Sequence, residues 1–154
     1  MTGVPSVSLA LDDQLCFKLY AASRAVTRAY KPMLDQLGLT YPQYVVMLVL
    51  WEWHDAAATQ ATVKALGERL MLDSGTLTPL LKRLEQLGAV KRQRSLRDER
   101  EVHLSLSEAG VQLRGQAYQL KTRLLCDSGV DLNQADALRD GLDQLLAQIR
   151  ALSP

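Results

Sequence analysis

The segment from residue 66 to residue 106 constrains the fold most, because its hydrophobic pattern changes there from a helical period to a strand period. A helix, a sharp turn at residues 73 to 75 and a second helix come first, and Gly88 is suited to end that second helix. Residues 90 to 106 then predict a hairpin whose second strand alternates apolar and polar side chains. This order predicts a winged helix-turn-helix within a fold that is α+β and mostly α.

Positive charge is concentrated in this segment, although the whole chain has a net charge of only +1. Residues 82 to 100 hold seven lysine and arginine residues against three carboxylates. Clustered cations release counterions from phosphates whatever charge the rest of the surface carries. We therefore expect double-stranded DNA as the partner, and the alternative is a solvated hairpin with ordinary surface charge.

The residues predicted to contact DNA lie on the second helix and on the hairpin. Hydroxyls and leading amides at the start of the helix suit phosphates or base edges, and a hairpin arginine suits the narrow minor groove. A carboxylate two residues before that arginine either braces the hairpin turn or forms an exposed ion pair with it. The predicted contact residues are Ser74, Thr76, Thr78, Lys82, Arg83, Arg92, Arg94, Asp98 and Arg100.

Two prolines bear on the helix boundaries. The first helix, which starts at Leu11, is expected to end before Pro32, and a short helix then runs to Gly38. A proline inside a helix removes an amide donor and crowds the preceding turn. The second helix of the motif therefore either contains Pro79 or begins near Thr78, where the missing donor is harmless.

The helix that starts at Thr40 is predicted to be buried, because residues 45 to 51 are apolar. Thr40 and Gln43 have the spacing of a capping box at its start. A polar loop is expected over residues 54 to 60, and a further helix over about residues 62 to 71.

Three helices lie outside the motif: the first one, one that Ser107 caps and that runs to about Cys126, and the last. Their apolar stripes exceed what a small winged motif can cover, so we expect a homodimer, with packing on their own domain as the alternative. A dimer would place two reading heads about 34 Å apart, as a palindromic operator requires. The predicted organisation is one domain over 1–154, with the winged helix-turn-helix at about 40–106 and dimerisation helices at about 9–37 and 107–154.

Several classes of protein are excluded by motif and composition. The longest apolar run, residues 45 to 51, is far shorter than the roughly 20 residues that span a bilayer, so no membrane span is expected. No export signal is visible, which predicts the cytoplasm, where thiols stay reduced. The two cysteines and two histidines lack the paired spacing of a zinc site, and no phosphate-binding loop, nucleophile elbow or dinucleotide motif occurs. We expect neither an enzyme nor a bound cofactor or metal.

Composition alone favours two packed, inert cysteines. Five blocks of sequence favour another interpretation, because together they resemble the organic hydroperoxide resistance repressors, a branch of the MarR family of dimeric winged-helix regulators. The resemblance covers nearly the whole chain from Leu11 onward. The blocks are LCFKLY at 15–20, YKP at 30–32, LTYPQY at 39–44, LDSGTLTPLLKR at 72–83 and DER at 98–100.

The resemblance implies a repressor that responds to organic hydroperoxides. In that family the cysteine matching Cys16 is oxidised to a sulfenic acid, and the tyrosines matching Tyr30 and Tyr41 bond to its sulfur. Members with a second cysteine near the end of the long helix use it as a resolving thiol, and Cys126 falls in that region. The arginine matching Arg100 enters the minor groove from the wing.

Helix geometry adds a constraint to this implied sensor. Cys16 and Tyr30 are 14 residues apart, so on one unbroken helix they lie about 21 Å apart along its axis. Contact between them therefore requires a second subunit. A hydroxyl that donates to a thiolate favours the reactive charged form, and Phe17 with Tyr20 would give an apolar wall that favours organic peroxides.

Other classes of function stay open at this point. A thiol peroxidase would also use one reactive and one resolving cysteine, but it would not need the cationic hairpin. A regulator of the same fold that responds to a small phenolic ligand instead of oxidation is a milder alternative. An adaptor that binds only protein is the least favoured class, because it would not need the cationic segment.

Overall fold

The structure, a computed structural model, describes residues 7 to 152 of the chain. Six α-helices and one two-stranded antiparallel sheet are found among these residues, which confirms a mostly α fold with a winged helix-turn-helix. A short 3-10 helix, Leu11–Asp13, precedes them. The elements are α1 (Leu15–Leu37), α2 (Tyr41–Asp55), α3 (Val63–Leu70), α4 (Ser74–Gln86), β1 (Val90–Arg94), β2 (Val102–Leu106), α5 (Glu108–Ser128) and α6 (Leu132–Leu152).

The chain forms two compact units that divide after Tyr118, within α5. The first unit contains the buried core, whereas α6 in the second unit has no buried residue. No helix in the described part of the chain is long and apolar enough to cross a bilayer. The largest fully buried side chains are Val46, Met47, Leu66, Leu77, Leu81 and Leu84.

The first helix differs from its prediction at its start and at Pro32. α1 begins at Leu15 and continues through Pro32 to Leu37, so the expected break before Pro32 is wrong. The proline removes a single amide donor, and the residues that follow it, Met33 and Leu34, are buried on the core side. Burial of that last turn outweighs the lost hydrogen bond. Gly38, with φ of 68°, ends the helix as predicted.

The second helix carries the predicted capping box. The Thr40 amide donates to Gln43 Oε1 at 3.0 Å, and the Gln43 amide donates to Thr40 Oγ1 at 3.4 Å. α2 is buried along most of its length, as predicted, and it runs to Asp55, which shortens the expected loop at residues 54 to 60. A helix that is apolar nearly all round is stable only inside a core.

The helix-turn-helix is formed by α3 and α4. The turn lies at Met71 to Asp73 rather than at residues 73 to 75, and Met71 adopts φ of 55°. The Asp73 carboxylate accepts from the Thr76 amide at 2.7 Å, which fixes the start of α4 at Ser74. Pro79 therefore lies inside α4, and the alternative start near Thr78 is wrong.

The wing, defined here as residues 90 to 106, consists of β1, a tight tip and β2. Its strands pair antiparallel, from Val90 opposite Leu106 to Arg94 opposite Val102. The Leu104 amide also donates to the Ala61 carbonyl at 2.7 Å, so the segment before α3 lies against the outer edge of β2. These bonds attach the wing to the helix-turn-helix on the side of α3.

The start of α5 fits closely against the end of α4. Ser107 Oγ accepts from the Gly110 amide at 3.0 Å, as predicted for a cap, and its hydroxyl donates to the Gly88 carbonyl. The Ser107 amide donates to the Ala89 carbonyl at 3.0 Å. A Cβ on Gly110 would overlap that same Ala89 carbonyl. Only glycine allows the two backbones to approach this closely.

We expect Gly110→Ala to destabilise the protein by about 1 to 3 kcal/mol, because the added methyl group forces the α5 backbone away from Ala89. Urea unfolding followed by circular dichroism measures the change. Gly115→Ala on the same helix is the matched control, since nothing lies within 4 Å of a Cβ there. The control should stabilise by about 0.5 to 1 kcal/mol, because alanine favours a helix interior over glycine. Equal effects of the two variants would contradict the steric account.

Candidate nucleic-acid interface and redox site

The start of α4 presents hydroxyls on the surface. Ser74, Thr76 and Thr78 are all exposed, as the sequence predicts for a DNA-contacting face. Thr78 donates its hydroxyl proton to the Ser74 carbonyl at 2.7 Å, so its oxygen faces outward mainly as an acceptor. The leading amides are less available than expected, because the Thr76 amide already bonds to Asp73. Hydrogen bonds from the Thr76 amide and hydroxyl hold the pKa of Asp73 below its usual value.

Most of the predicted cations on this side of the molecule are exposed and unpaired. Within residues 7 to 152, no ion pair involves Lys82 or Arg83 on α4, or Arg94 and Arg100 on the wing. Free guanidinium and ammonium groups are what phosphate contacts need. Four of the predicted cations are therefore free to bind an anionic partner.

Arg92 differs from its predicted role. Its guanidinium donates twice to Glu85 Oε2 on α4, through Nε at 3.0 Å and Nη2 at 2.7 Å. The Arg92 side chain is 30% exposed, and its hydrogen bonds hold the pKa of Glu85 below its usual value. The pair fastens β1 of the wing to the recognition helix α4. Glu85 was not singled out from the sequence, because the seven-residue separation gives no local signal of contact.

The tip of the wing is ordered by hydrogen bonds between residues that are close in sequence. Asp98 Oδ1 accepts from the Arg100 amide at 2.9 Å, and Ser95 Oγ accepts from the amides of Arg97 and Asp98. The Ser95 amide donates to the Glu101 carbonyl at 2.8 Å and closes the loop. Asp98 therefore braces the turn through the backbone of Arg100, and the arginine side chain extends from a fixed position.

A groove of about 860 Å³ lies between α3 and the wing. Lys64 and Glu68 of α3, Met71 of the turn, and Asp98 and Arg100 of the tip line it. Residues of both charges, Lys64 and Arg100 against Glu68 and Asp98, are therefore among its lining residues. Ser74, at the start of α4, lines the same groove, so the tip and the start of α4 both border it.

Both cysteines are free and exposed, which is at odds with two packed, inert side chains. Cys16 is the second residue of α1, and Cys126 lies near the end of α5. Exposure is a requirement for a thiol that reacts with a dissolved oxidant. The surroundings of the two sulfurs therefore permit the redox roles that the resemblance implies.

The predicted tyrosines fall into two groups. Tyr30 and Tyr41 are in contact, with ring centroids 5.8 Å apart and planes nearly perpendicular. Tyr20 lies apart from them. The Arg24 guanidinium carbon lies 5.4 Å from the centroid of the Tyr20 ring, and the Tyr20 hydroxyl accepts a hydrogen bond from Arg24. Cys16 and Tyr30 both belong to the unbroken helix α1, about 21 Å apart along its axis. The chain by itself therefore brings the two tyrosines together but does not bring them to Cys16.

A third tyrosine, Tyr44, contacts this pair, although it was not among the site residues predicted from the sequence. The Tyr44 ring centroid lies 6.0 Å from that of Tyr30 and 6.4 Å from that of Tyr41. Burial raises the pKa of Tyr44 to about 12 and also raises that of Tyr30. Both phenols therefore keep their protons at neutral pH and remain hydrogen-bond donors. The spacing of Tyr41 and Tyr44 on one helix was the available signal.

We expect Glu85→Gln to lower the stability of the protein at pH 7, because it removes the charged acceptor of Arg92. A carboxyl whose pKa is lowered on folding stabilises the native state above its unfolded pKa, near 4.5, and this contribution is lost as the pH falls through the lowered native value. The difference between wild type and variant should therefore shrink below pH 4.5 and disappear in acid. Thermal unfolding over a pH series measures it. Glu99→Gln, which changes a wing carboxylate outside this pair, should show no such dependence.

Comparisons with known proteins agree with this geometry. Residues 28 to 115 match the family of SarA/Rot transcriptional regulators. The organic hydroperoxide resistance transcriptional regulator of Bacillus subtilis is 51% identical over 129 residues, which cover 82% of this chain and 84% of that protein.

Two solved structures of AbfR from Staphylococcus epidermidis are also similar, each at 36% identity. Reduced AbfR bound to DNA covers 90% of this chain and 95% of that chain, with a TM-score of 0.73. AbfR with its disulfide formed covers 92% of this chain and 91% of that chain, with a TM-score of 0.62. The chain therefore belongs to the organic hydroperoxide resistance regulators, a group of winged-helix transcriptional regulators of the MarR/SarA type.

Proposed function

We propose that this protein is a repressor that binds a palindromic DNA operator when reduced and releases it when organic hydroperoxide oxidises Cys16. The ordered wing tip, which borders one groove together with Ser74 at the exposed start of α4, is the observation that carries the proposal. It presents Arg100 to the minor groove while α4 enters the major groove. Lys82, Arg83 and Arg94 contact phosphates and position the two elements.

Arg92 acts differently in this proposal. Its bonds to Glu85 hold the wing at a set angle to α4, so that the tip and the recognition helix reach neighbouring grooves together. Phosphate contact by Arg92 would require it to leave a charged acceptor, which opposes that role. The pair thus contributes to DNA binding by holding the wing and α4 in position.

The functional unit is a homodimer formed by the helices outside the winged motif. Large apolar side chains on these helices are exposed in the single chain, among them Leu15 and Val26 of α1 and Leu138 and Ile149 of α6. Exposed apolar area of this extent on terminal helices is a feature of obligate interfaces. Twofold symmetry then places two α4 helices about 34 Å apart, one turn of the duplex.

Dimerisation also completes the redox sensor. Because Tyr30 cannot reach the Cys16 of its own chain, the tyrosine pair of one protomer donates to the Cys16 sulfur of its partner. The thiolate attacks one oxygen of the peroxide, the O–O bond breaks, and the alcohol leaves after taking up a proton. The sulfur becomes a sulfenic acid, the first and reversible product of oxidation.

Cys126 then serves as the resolving thiol. Its sulfur attacks the sulfenic acid of the partner's sensor cysteine, a disulfide forms, and water leaves. The bond requires the two Cα atoms to come within about 7 Å, so formation of the disulfide moves the helices that carry them. This motion changes the separation of the two reading heads and weakens the fit to DNA. The reduced, DNA-bound and disulfide-formed structures of AbfR support such a cycle.

A DNA-binding assay tests the trigger. The operator is recovered from random duplexes with reduced protein, and affinity is measured before and after cumene hydroperoxide and again after dithiothreitol. We expect wild-type affinity to fall by about tenfold or more on oxidation, within the usual range of allosteric coupling, and to recover on reduction. Cys16→Ser should bind the operator under all three conditions.

Peroxide-driven release that persists in Cys16→Ser would contradict the redox trigger. Release of that variant by salicylate instead would favour the class of regulators that respond to a phenolic ligand. Turnover of many peroxide molecules per subunit in the presence of a thiol reductant would favour a peroxidase.

A second prediction concerns the resolving cysteine. Peroxide-treated wild type should migrate as a covalent dimer on a non-reducing gel, because the proposed disulfide joins two protomers. Cys126→Ser should remain monomeric on the same gel while its Cys16 still forms a sulfenic acid that dimedone captures. A covalent dimer that still forms in the variant would show that another pairing occurs.

A further inference from the structure

A continuous row of aromatic rings leads from the sensor tyrosines into the core. Tyr30 and Tyr41 both contact Tyr44, which is only 2% exposed. The Tyr44 centroid in turn lies 6.4 Å from that of Trp51, which is 5% exposed. The last two contacts of the row lie within one helix, because α2 contains Tyr41, Tyr44 and Trp51.

The row ends on the backbone of another helix. Trp51 Nε1 donates to the Gly110 carbonyl at 2.8 Å, and this hydrogen bond is buried. It joins α2 to the first turn of α5, although the two residues are 59 positions apart in the chain. A buried bond that crosses elements is costly to break without another partner.

Gly110 lies against the segment that ends the recognition helix. Its Cα faces the Ala89 carbonyl so closely that no Cβ could be accommodated, and Ser107 bonds to both Gly88 and Ala89. Ala89 follows the α4 C-cap, Leu87, by two residues. A shift of the Trp51 ring therefore acts on the first turn of α5 and, through its contact with Ala89, on the end of α4.

Close packing makes such a path mechanically stiff. Buried side chains fill their space to the density of organic crystals, so displacement of one ring is passed to the next rather than absorbed. An exposed or loosely packed row would dissipate the same displacement.

We propose that Tyr44 and Trp51 are positioning residues that transmit the state of the sensor tyrosines, through Gly110, to the recognition helix. This inference rests on the proposed function and adds to it a path within one protomer. When Cys16 of the partner is oxidised, Tyr30 and Tyr41 lose their bonds to its sulfur and move. Tyr44 follows, Trp51 shifts against Gly110, and the end of α4 is displaced.

The test compares Trp51→Phe with Trp53→Phe. The first variant keeps an aromatic ring in the core but deletes the donor to Gly110, whereas the second makes the same chemical change two residues away, outside the row. For each protein we measure operator affinity in the reduced and in the cumene hydroperoxide-treated state, and the rate of sulfenic acid formation at Cys16.

The wild type and Trp53→Phe should show the same loss of affinity on oxidation. In Trp51→Phe this loss should be smaller by about five- to tenfold, a change within the range of allosteric coupling. The rate of Cys16 oxidation should be equal in all three proteins. That combination separates transmission from sensing, because a sensor defect would slow the oxidation itself.

Several outcomes would overturn the proposal. If Trp51→Phe loses as much operator affinity on oxidation as the wild type does, the proposed path is contradicted but the proposed function is not. Reduced Trp51→Phe that already binds as weakly as oxidised wild type would show that the bond only holds the reading head in place. If Trp51→Phe does not fold, Tyr44→Met, which breaks the row one step earlier at similar volume, is judged by the same criteria. A wild type that keeps its affinity after oxidation would contradict the proposed function and the path together.

Discussion

The close approach of α5 to the end of α4 is the contact on which the rest of this structure depends. It requires glycine at position 110, a serine cap at Ser107 and the indole of Trp51 as a hydrogen-bond donor. The glycine leaves room for the two backbones, the Ser107 hydroxyl accepts from the Gly110 amide, which has no partner within the helix, and the Gly110 carbonyl accepts from the buried indole. The first turn of α5 is therefore packed directly against the residues that follow α4.

The wing is held to the recognition helix by different chemistry. Hydrogen bonds within the tip fix the backbone at Arg100, and the pair of Glu85 with Arg92 fixes β1 against α4. Such a partly exposed ion pair contributes modestly to stability, and its two hydrogen bonds also hold the elements in one orientation. For the proposed placement of two elements in neighbouring grooves of DNA, a defined angle matters more than added stability.

Sequence patterns predicted the helices and strands well, but they predicted poorly whether a proline ends a helix. The capping box at Thr40, the end of α1 at Gly38 and the alternation of β2 are local signals, and all three are present. The helices continue through Pro32 and Pro79 because burial of neighbouring side chains compensates for one missing amide, and a local rule does not include burial. No local signal predicted the pairing of Arg92 with Glu85, since the two residues lie on different elements.

By itself, the sequence determined the order of helices and strands, the concentration of cations near the wing, and the separation of Cys16 from Tyr30 along one helix. These properties depend only on residue spacing and side-chain chemistry. Only the tertiary structure decided which cations are free, which tyrosines meet, and that Trp51 bonds to Gly110. Those facts depend on how distant segments pack, and no periodicity in a chain encodes the partner of a buried hydrogen bond.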